Sequence, residues 1–327
     1  MHDHHASGNK SYGVPPRFDP EHGEVIAEPP GSGYGYWAGA PSAVYDRTAK
    51  TFYVYYRVRH PLTKGRGGEC RIAASRDGKK FDTIWKASKE DFGANSIEKS
   101  CLIRDPSGNW RLYISFEVGR AYDRNPPTWR VDLLEAEAPE KLDPALARPV
   151  IDAPMYGFTF VKDPTVVIVG GEYHVFASVG IPEQAGPPDD QGVIRTRGRG
   201  WAALHRSADG VNFPTAQIVM RPRQHGWDAF NTRITSVVYL PPTWLAFYDG
   251  ATHRADSYDE FCGLAVSQNL VDWRPVSVAG PWIKSPHASG SIRYLDAVLV
   301  DDTMHYFYEY TRPDQAHELR HSAVNVE

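Results

Sequence analysis

Phe52-Tyr53-Val54-Tyr55-Tyr56 is the stretch on which the fold turns, because four counterparts follow it along the chain. They are Trp110-Arg111-Leu112-Tyr113-Ile114, Tyr173-His174-Val175-Phe176-Ala177, Trp244-Leu245-Ala246-Phe247-Tyr248 and Met304-His305-Tyr306-Phe307-Tyr308. The copies recur at a period of roughly sixty residues, in the range of propeller blades with long connections. Each is preceded by a β-branched segment and a turn: Ser42 to Tyr45 before Asp46, Cys101-Leu102-Ile103 before Asp105-Pro106-Ser107-Gly108, and Thr165 to Val169 before Gly170-Gly171. The last two are Ser236 to Tyr239 before Pro241-Pro242, and Ala297 to Val300 before Asp301-Asp302. Alternating strands joined by such turns are hairpins.

A third strand follows in several copies, as in Arg71 to Ser75, Ala202 to Ser207 and Gly263 to Ser267. Asp77-Gly78 and Asp209-Gly210 then supply turns in which glycine takes a positive φ. A fourth, outer strand comes next, at Phe81 to Trp85, Phe213 to Val219 and Trp273 to Val278. The fifth copy stops after its third strand, Glu318 to Val324, while Glu24 to Glu28 near the N-terminus has outer-strand character. The sequence therefore predicts an all-β fold, a five-bladed β-propeller with four-stranded blades whose ring is closed by an N-terminal outer strand, leaving no long free edge. A flexible arm is expected over residues 1–22 and a single domain over 23–327.

Composition narrows the function. The 327 residues are 41% hydrophobic and 12% aromatic, enough for a sizeable core, with Gly 28 and Pro 26 as a turn-rich β chain requires. A net charge of −4 offers no field for nucleic acid. The chain holds no apolar run of membrane-spanning length and opens without a secretory leader pattern, so it reads as cytoplasmic. Cys70, Cys101 and Cys262 fit neither a disulfide framework nor a zinc set. The opening His2-Asp3-His4-His5 reads as a surface arm rather than a metal site, and no metal or cofactor is indicated. Oligomeric state is not encoded in any pattern found.

In a blade, the innermost strand starts and the second strand ends at one mouth of the central channel. The starts bring Tyr36-Trp37-Ala38-Gly39-Ala40-Pro41, Glu98-Lys99, Lys162-Asp163, Arg233, and Arg293 with Asp296; the ends bring Arg57, Arg59, Ser115, Glu117, Ser178, Asp249 and Glu309. Ionisable groups gathered beside a narrow channel must pair, bind a ligand or shift their protonation. Paired ions that tie blades together are the plain alternative for any one of them. Tyr36, Trp37, Phe158, Trp227, Phe230 and His287, on connections expected to cross this mouth, would offer ring faces to a carbohydrate while the charged groups take its hydroxyls.

Lys162-Asp163-Pro164-Thr165-Val166 with Gly171-Glu172-Tyr173-His174-Val175-Phe176, and the Ser-x-Asp-Gly-x-x-Phe phrase at Ser75 to Phe81 and Ser207 to Phe213, resemble the five-bladed propeller glycoside hydrolases of families 32, 43 and 130. The resemblance runs from Glu24 to Val324. Gly39-Ala40-Pro41 followed by Phe52 to Arg57 looks most like the phosphorylase-like and uncharacterised branches. It implies chemistry by funnel carboxylates, one protonating the leaving oxygen and another activating water or attacking carbon. Asp163 matches the Asp-Pro aspartate, which in family 43 tunes the acid and holds the sugar, and Glu98 starts the preceding blade. Many relatives begin their first blade with a catalytic aspartate, whereas this chain has Gly39-Ala40-Pro41, so the resemblance leaves that role to a carboxylate of another blade, such as Glu309, Asp249 or Asp296, or to a phosphate or an acceptor group.

The sequence thus nominates Glu98, Asp163 and Glu309 as catalytic, and Trp37, Arg57, Lys99, Lys162, Trp227, Arg233, Asp249, Arg293 and Asp296 as contacts for a small carbohydrate or glycoside. A non-hydrolytic enzyme acting on a sugar-like or cyclitol metabolite, and a carbohydrate-binding propeller without turnover, are the alternatives. Arg104-Asp105-Pro106 spells a triplet of the sucrose-active relatives but falls in a hairpin turn, and Glu69-Cys70 opens a third strand. The longest insertion, Pro182 to Gly200, is read as a lid, a subunit contact or a solvated loop.

Overall fold

A computed structural model describes residues 13–118, 128–182, 200–253 and 258–326. The opening histidines and most of the Pro182 to Gly200 insertion lie outside the described residues. Within them the structure is all-β, punctuated by short 3-10 turns. Among the described residues no helix is long and apolar enough to cross a membrane.

Strand β1 (Glu24–Ala27) stands apart in sequence from its partner. A first antiparallel group follows: β2 (Trp37–Asp46), β3 (Thr51–Arg59), β4 (Gly67–Ser75) and β5 (Asp82–Ser88). The second holds β6 (Ala94–Ile97), β7 (Cys101–Arg104), β8 (Trp110–Val118), β9 (Trp129–Ala136) and β10 (Arg148–Asp152). Its inner strand is broken at Glu98 to Ser100, so that β6 and β7 both pair with β8. The third is β11 (Val161–Val169), β12 (Glu172–Gly180), β13 (Gly200–Ser207) and β14 (Ala216–Met220). The fourth is β15 (Asn231–Leu240), β16 (Thr243–Ala251), β17 (Phe261–Ser267) and the two-residue β18 (Arg274–Pro275). The fifth is β19 (Ile292–Val300), β20 (Thr303–Thr311) and β21 (His317–Asn325), and the outer partner of β21 is β1, with Glu24 opposite His321.

The aromatic runs are explained by burial on two faces. Along β3, Phe52, Val54, Tyr56 and Val58 pack with Phe307 and Leu319 of the fifth group. Tyr55 points the other way, into a cluster with Leu102, Leu112 and Phe116 of the second group. Period-two alternation thus serves two cores rather than a core and a solvent face. The same holds onward: second against third around Tyr113 and Val175, third against fourth around Phe176 and Tyr248, fourth against fifth around Phe247 and Tyr306. Fully burying one such side chain contributes about 2–3 kcal/mol.

The turns behave as their residues dictate. Gly78 and Gly210 have φ of 70° and 72°. Asp209 Oδ1 accepts from the backbone of Val211 and Asn212, both at 2.8 Å, and Asn269 does the same for Val271 and Asp272 in the fourth group. Asp105 Oδ1 accepts from Ser107 and Asn109 backbone N–H groups at 2.9 Å, so the Arg104-Asp105-Pro106 triplet is turn chemistry. All three cysteines are free and buried.

Part of the arm expected over residues 1–22 is packed. Phe18 stacks on Tyr306 at 4.6 Å, and Tyr306 and Tyr308 hydroxyls donate to the carbonyls of Pro16 and Pro20 at 2.7 and 2.9 Å. The strap continues directly into β1.

Candidate active site

Every inner strand carries one extra residue at the same place. In β2 the register passes from Gly39 opposite Arg57 to Ser42 opposite Tyr55, in β11 from Lys162 opposite Ser178 to Thr165 opposite Phe176, and in β19 from Arg293 opposite Glu309 to Asp296 opposite Phe307. In β15 it passes from Arg233 opposite Asp249 to Ser236 opposite Phe247. The break between β6 and β7 is the same irregularity, with the Glu98 N–H donating to the Ser115 carbonyl at 2.8 Å. Ala40, Asp163 and Tyr294 adopt φ of 54°, 57° and 52° there. Such a bulge re-aims the side chains on either side of it.

Ahead of the bulges the charged side chains meet. Arg57 Nη1 donates to Glu98 Oε2 at 2.8 Å. Arg233 reaches Asp249 at 2.7 Å, Asp163 at 3.2 Å and Glu260 at 3.2 Å. Arg293 holds Glu260 at 2.8 Å and Glu309 at 2.7 Å, so Glu260 bridges two arginines. Glu309 also takes His317 Nδ1 at 2.7 Å and the Ala40 N–H at 3.1 Å. Tyr294 underlies the network, with the guanidinium groups of Arg233, Arg57 and Arg293 at 4.0, 5.2 and 5.2 Å from its ring. Its own N–H donates to Asp249 at 3.0 Å. Asp163, Asp249, Arg57, Arg233, Arg293 and Glu309 are all buried.

One side of this network reaches towards solvent. Arg66 pairs with Glu117 and approaches Glu98 Oε1 at 3.9 Å, Trp129 Nε1 donates to the same oxygen at 3.4 Å, and the Lys162 ammonium lies 5.3 Å from the Trp129 ring. The Lys162 and Arg66 side chains are 24% and 27% exposed, which makes this an accessible edge. Burial alone would push the Glu98 carboxyl up, but Lys162, Arg57, Arg59 and Arg66 overcome it and hold it well below the usual range. Glu117 goes the other way, raised by burial against the pull of Arg66, with the Glu98 charge adding to the rise. Two neighbouring carboxyls with opposite protonation tendencies are the arrangement acid/base chemistry uses.

Of the nominated residues, the structure brings Glu98, Asp163, Glu309, Trp37, Arg57, Lys162, Arg233, Asp249 and Arg293 to this mouth. Lys99, within the break between β6 and β7, and Asp296, past the bulge of β19, help line a separate cavity of about 300 Å³ with Ser42, Cys101, Thr165 and Thr235. The Lys99 ammonium donates to the Pro164 carbonyl and Thr165 Oγ1 at 2.6 and 2.8 Å, and Asp296 accepts from the Ala43 N–H at 2.7 Å. Trp227 is half-buried, packs on Tyr248 at 5.5 Å and donates to the Ser277 carbonyl. Phe158 packs near His205 and His287 bonds Glu21, so the aromatic wall expected from the connections is dispersed.

Glu260, His317, Arg66, Trp129 and Tyr294 were not nominated. Four of them lie at or just before the start of a third strand, which runs parallel to the first and therefore begins at the same mouth. That geometric rule was available from the hairpin pattern alone.

Gly39 explains the departure from the aspartate expected of the first strand. A Cβ there would stand 2.2 Å from Glu309 Oε2. The carboxylate of Glu309 thus fills the space into which a side chain at position 39 would extend.

The three-dimensional arrangement is similar to that of several solved enzymes. A GH43_1 enzyme of Xanthomonas citri complexed with xylotriose matches at TM-score 0.62 and 12% identity over 91% of this chain and 89% of that one. β-1,2-Mannobiose phosphorylase of Listeria innocua matches at TM-score 0.61 and 14% identity, over 96% and 93% of the two chains. A glycosyl hydrolase of Bacteroides ovatus matches at TM-score 0.62 and 12% identity, over 96% and 94%. The chain has the fold of the propeller glycoside hydrolases. No protein-family model matches the sequence, and no curated protein matches it either. Among the described residues the mouth contains no cluster of His, Cys, Asp or Glu suited to hold a metal ion.

Proposed function

We propose that the five strand groups are the blades of a five-bladed propeller, closed by β1 on β21, and that the chain acts on a small glycoside at the mouth of its central channel. The pairings and the five successive cores, the last joining the fifth group to the first, support that architecture. The observation that carries the chemistry is the Glu98–Arg66–Glu117 constellation, in which one guanidinium faces two carboxyls pushed in opposite directions. Glu117, the carboxyl more disposed to hold a proton, donates it to the leaving oxygen. Glu98, anionic, attacks the anomeric carbon or activates the incoming water or phosphate. Asp163 and Glu309 are saturated by Arg233, Arg293, His317 and backbone N–H groups, and serve to position those arginines. Arg57, Arg233 and Arg293 set the electrostatics around the sugar, with Lys162 and Trp129 at the rim.

Aryl xylosides, mannosides and glucosides, assayed with and without inorganic phosphate, test this reading. Glu117→Gln and Glu98→Gln are each expected to lower kcat/KM by about 10²–10⁴-fold, the usual contribution of a positioned acid or base. Turnover that survives both substitutions sinks the assignment.

A further inference from the structure

Five buried nitrogens at this mouth have no hydrogen-bond acceptor among the described residues: Trp37 Nε1, Arg57 Nε, Arg59 Nε, Arg66 Nε and Arg293 Nη2. Unmatched oxygens are fewer, since only Asn231 Oδ1 and the Tyr310 hydroxyl lack a partner among the buried side-chain oxygens described. Buried donors left unpaired cost stability, so a cluster of them points to acceptors brought by a ligand.

Arg59 is the extreme member. It ends β3 with 4% of its surface exposed, and it makes no ion pair among the described residues. Arg57, Arg233 and Arg293, by contrast, each hold a carboxylate. The guanidinium of Arg59 lies 4.8 Å from the Trp37 ring and 5.1 Å from the Tyr258 ring, aromatic neighbours that supply no carboxylate, and its Nε finds no acceptor among the described residues. Glu98, the carboxylate acting on it most strongly, is already bound to Arg57, and the other strong influences, Arg57 and Arg293, are cations. Asp259 on the same side is engaged by His317 at 3.5 Å and Ser289 at 3.1 Å. Tyr34, 48% exposed, packs edge-on against Trp37 at 5.5 Å and marks the way in.

We propose that Arg59 and Trp37 Nε1 form an oxyanion subsite of the mouth, which takes a carboxylate on an acidic sugar unit or a phosphate group. This deepens the glycoside-active reading and rests on it for the choice of sugar ligands. A neutral hydroxyl would satisfy the N–H groups but leave the buried guanidinium charge unpaired. An oxyanion does both, and it accepts without donating, as two donor groups require.

Calorimetric titration of the full chain with glucuronate, galacturonate, inorganic phosphate, glucose and galactose tests the subsite. At least one anion is expected to bind ten-fold or more tighter than the uncharged sugars. Arg59→Gln is expected to remove that preference, and Arg59→Lys to keep part of it. Binding of uronates alone assigns the subsite to the substrate, and binding of phosphate alone assigns it to the free anion. Equal binding of anionic and neutral ligands, no binding of any anion, or a folded Arg59→Gln variant that keeps the preference overturns the proposal. If that variant does not fold, the selectivity of the unaltered protein decides. The readout is binding, so absence of glycoside turnover would fail the earlier reading without failing this one, and turnover without anion preference does the reverse.

Discussion

Arg66 is the residue through which Glu98 and Glu117 feel each other, because its guanidinium faces both. Glu117 is raised by burial despite Arg66, which pulls it down, so removing that cation lets it rise further. For a proton donor, activity is lost as pH climbs through its pKa, and the alkaline limb of the pH–kcat/KM profile should therefore move to higher pH in Arg66→Gln. The acid limb, set by Glu98, lies below the usual carboxylate range and should also move up, since Arg66 helps to depress it. A profile of unaltered shape and position would show that the pair does not titrate in catalysis. The residues that make this site were only partly legible in the sequence. Glu98 was marked by its place at an inner-strand start, but Arg66 and Trp129 sit at third-strand starts whose alignment requires knowing where loops of unequal length end. Arg59 was visible as a strand end, yet its lack of a counter-ion among the described residues is a property of packing alone.

At the scale of the strand, the bulge is the element that matters, since it turns five inner strands so that pre-bulge side chains join the mouth and post-bulge ones leave it. The hairpin pattern of each group was readable from β-branched runs and turn residues. The bulge was not, because nothing distinguishes one inserted residue in Arg233-Ile234-Thr235-Ser236 from regular strand. Missing it placed Lys99 and Asp296 with the mouth residues rather than in the cavity beyond. Gly39→Ala tests how tightly the element is fitted. The new methyl would stand 2.2 Å from a Glu309 carboxylate that is fixed by Arg293, His317 and the Ala40 N–H, and it cannot be accommodated without breaking part of that buried network. A destabilisation on the order of 3 kcal/mol is expected from denaturant unfolding. Gly68→Ala is the control, because its Cβ meets nothing within 4 Å, and it should unfold within about 0.5 kcal/mol of the unaltered protein. Equal effects of the two would mean that Glu309 yields freely.

For the whole molecule, the five cores predict a response to acid that no surface charge supplies. His205 on β13 is fully buried, with Tyr156 at 4.7 Å and no partner for either ring nitrogen among the described residues. Burial drops its pKa from the ordinary 6.5 to about 3, and His321, buried beside His305, falls to about 4. A folded-state pKa below the unfolded value means that the unfolded chain takes up a proton which the folded one refuses. The stability tied to neutral His205 is therefore complete above pH 6.5 and declines as pH falls towards about 3, by up to about 1.4 kcal/mol per pH unit. His205→Leu keeps a side chain suited to this apolar pocket and removes the proton site. Its melting temperature should fall less between pH 7 and pH 4.5 than that of the unaltered protein, even if it starts lower at pH 7. Parallel declines in the two proteins would place the acid sensitivity elsewhere, as in Glu309, whose carboxyl Arg293 and His317 hold below the usual range against the effect of burial.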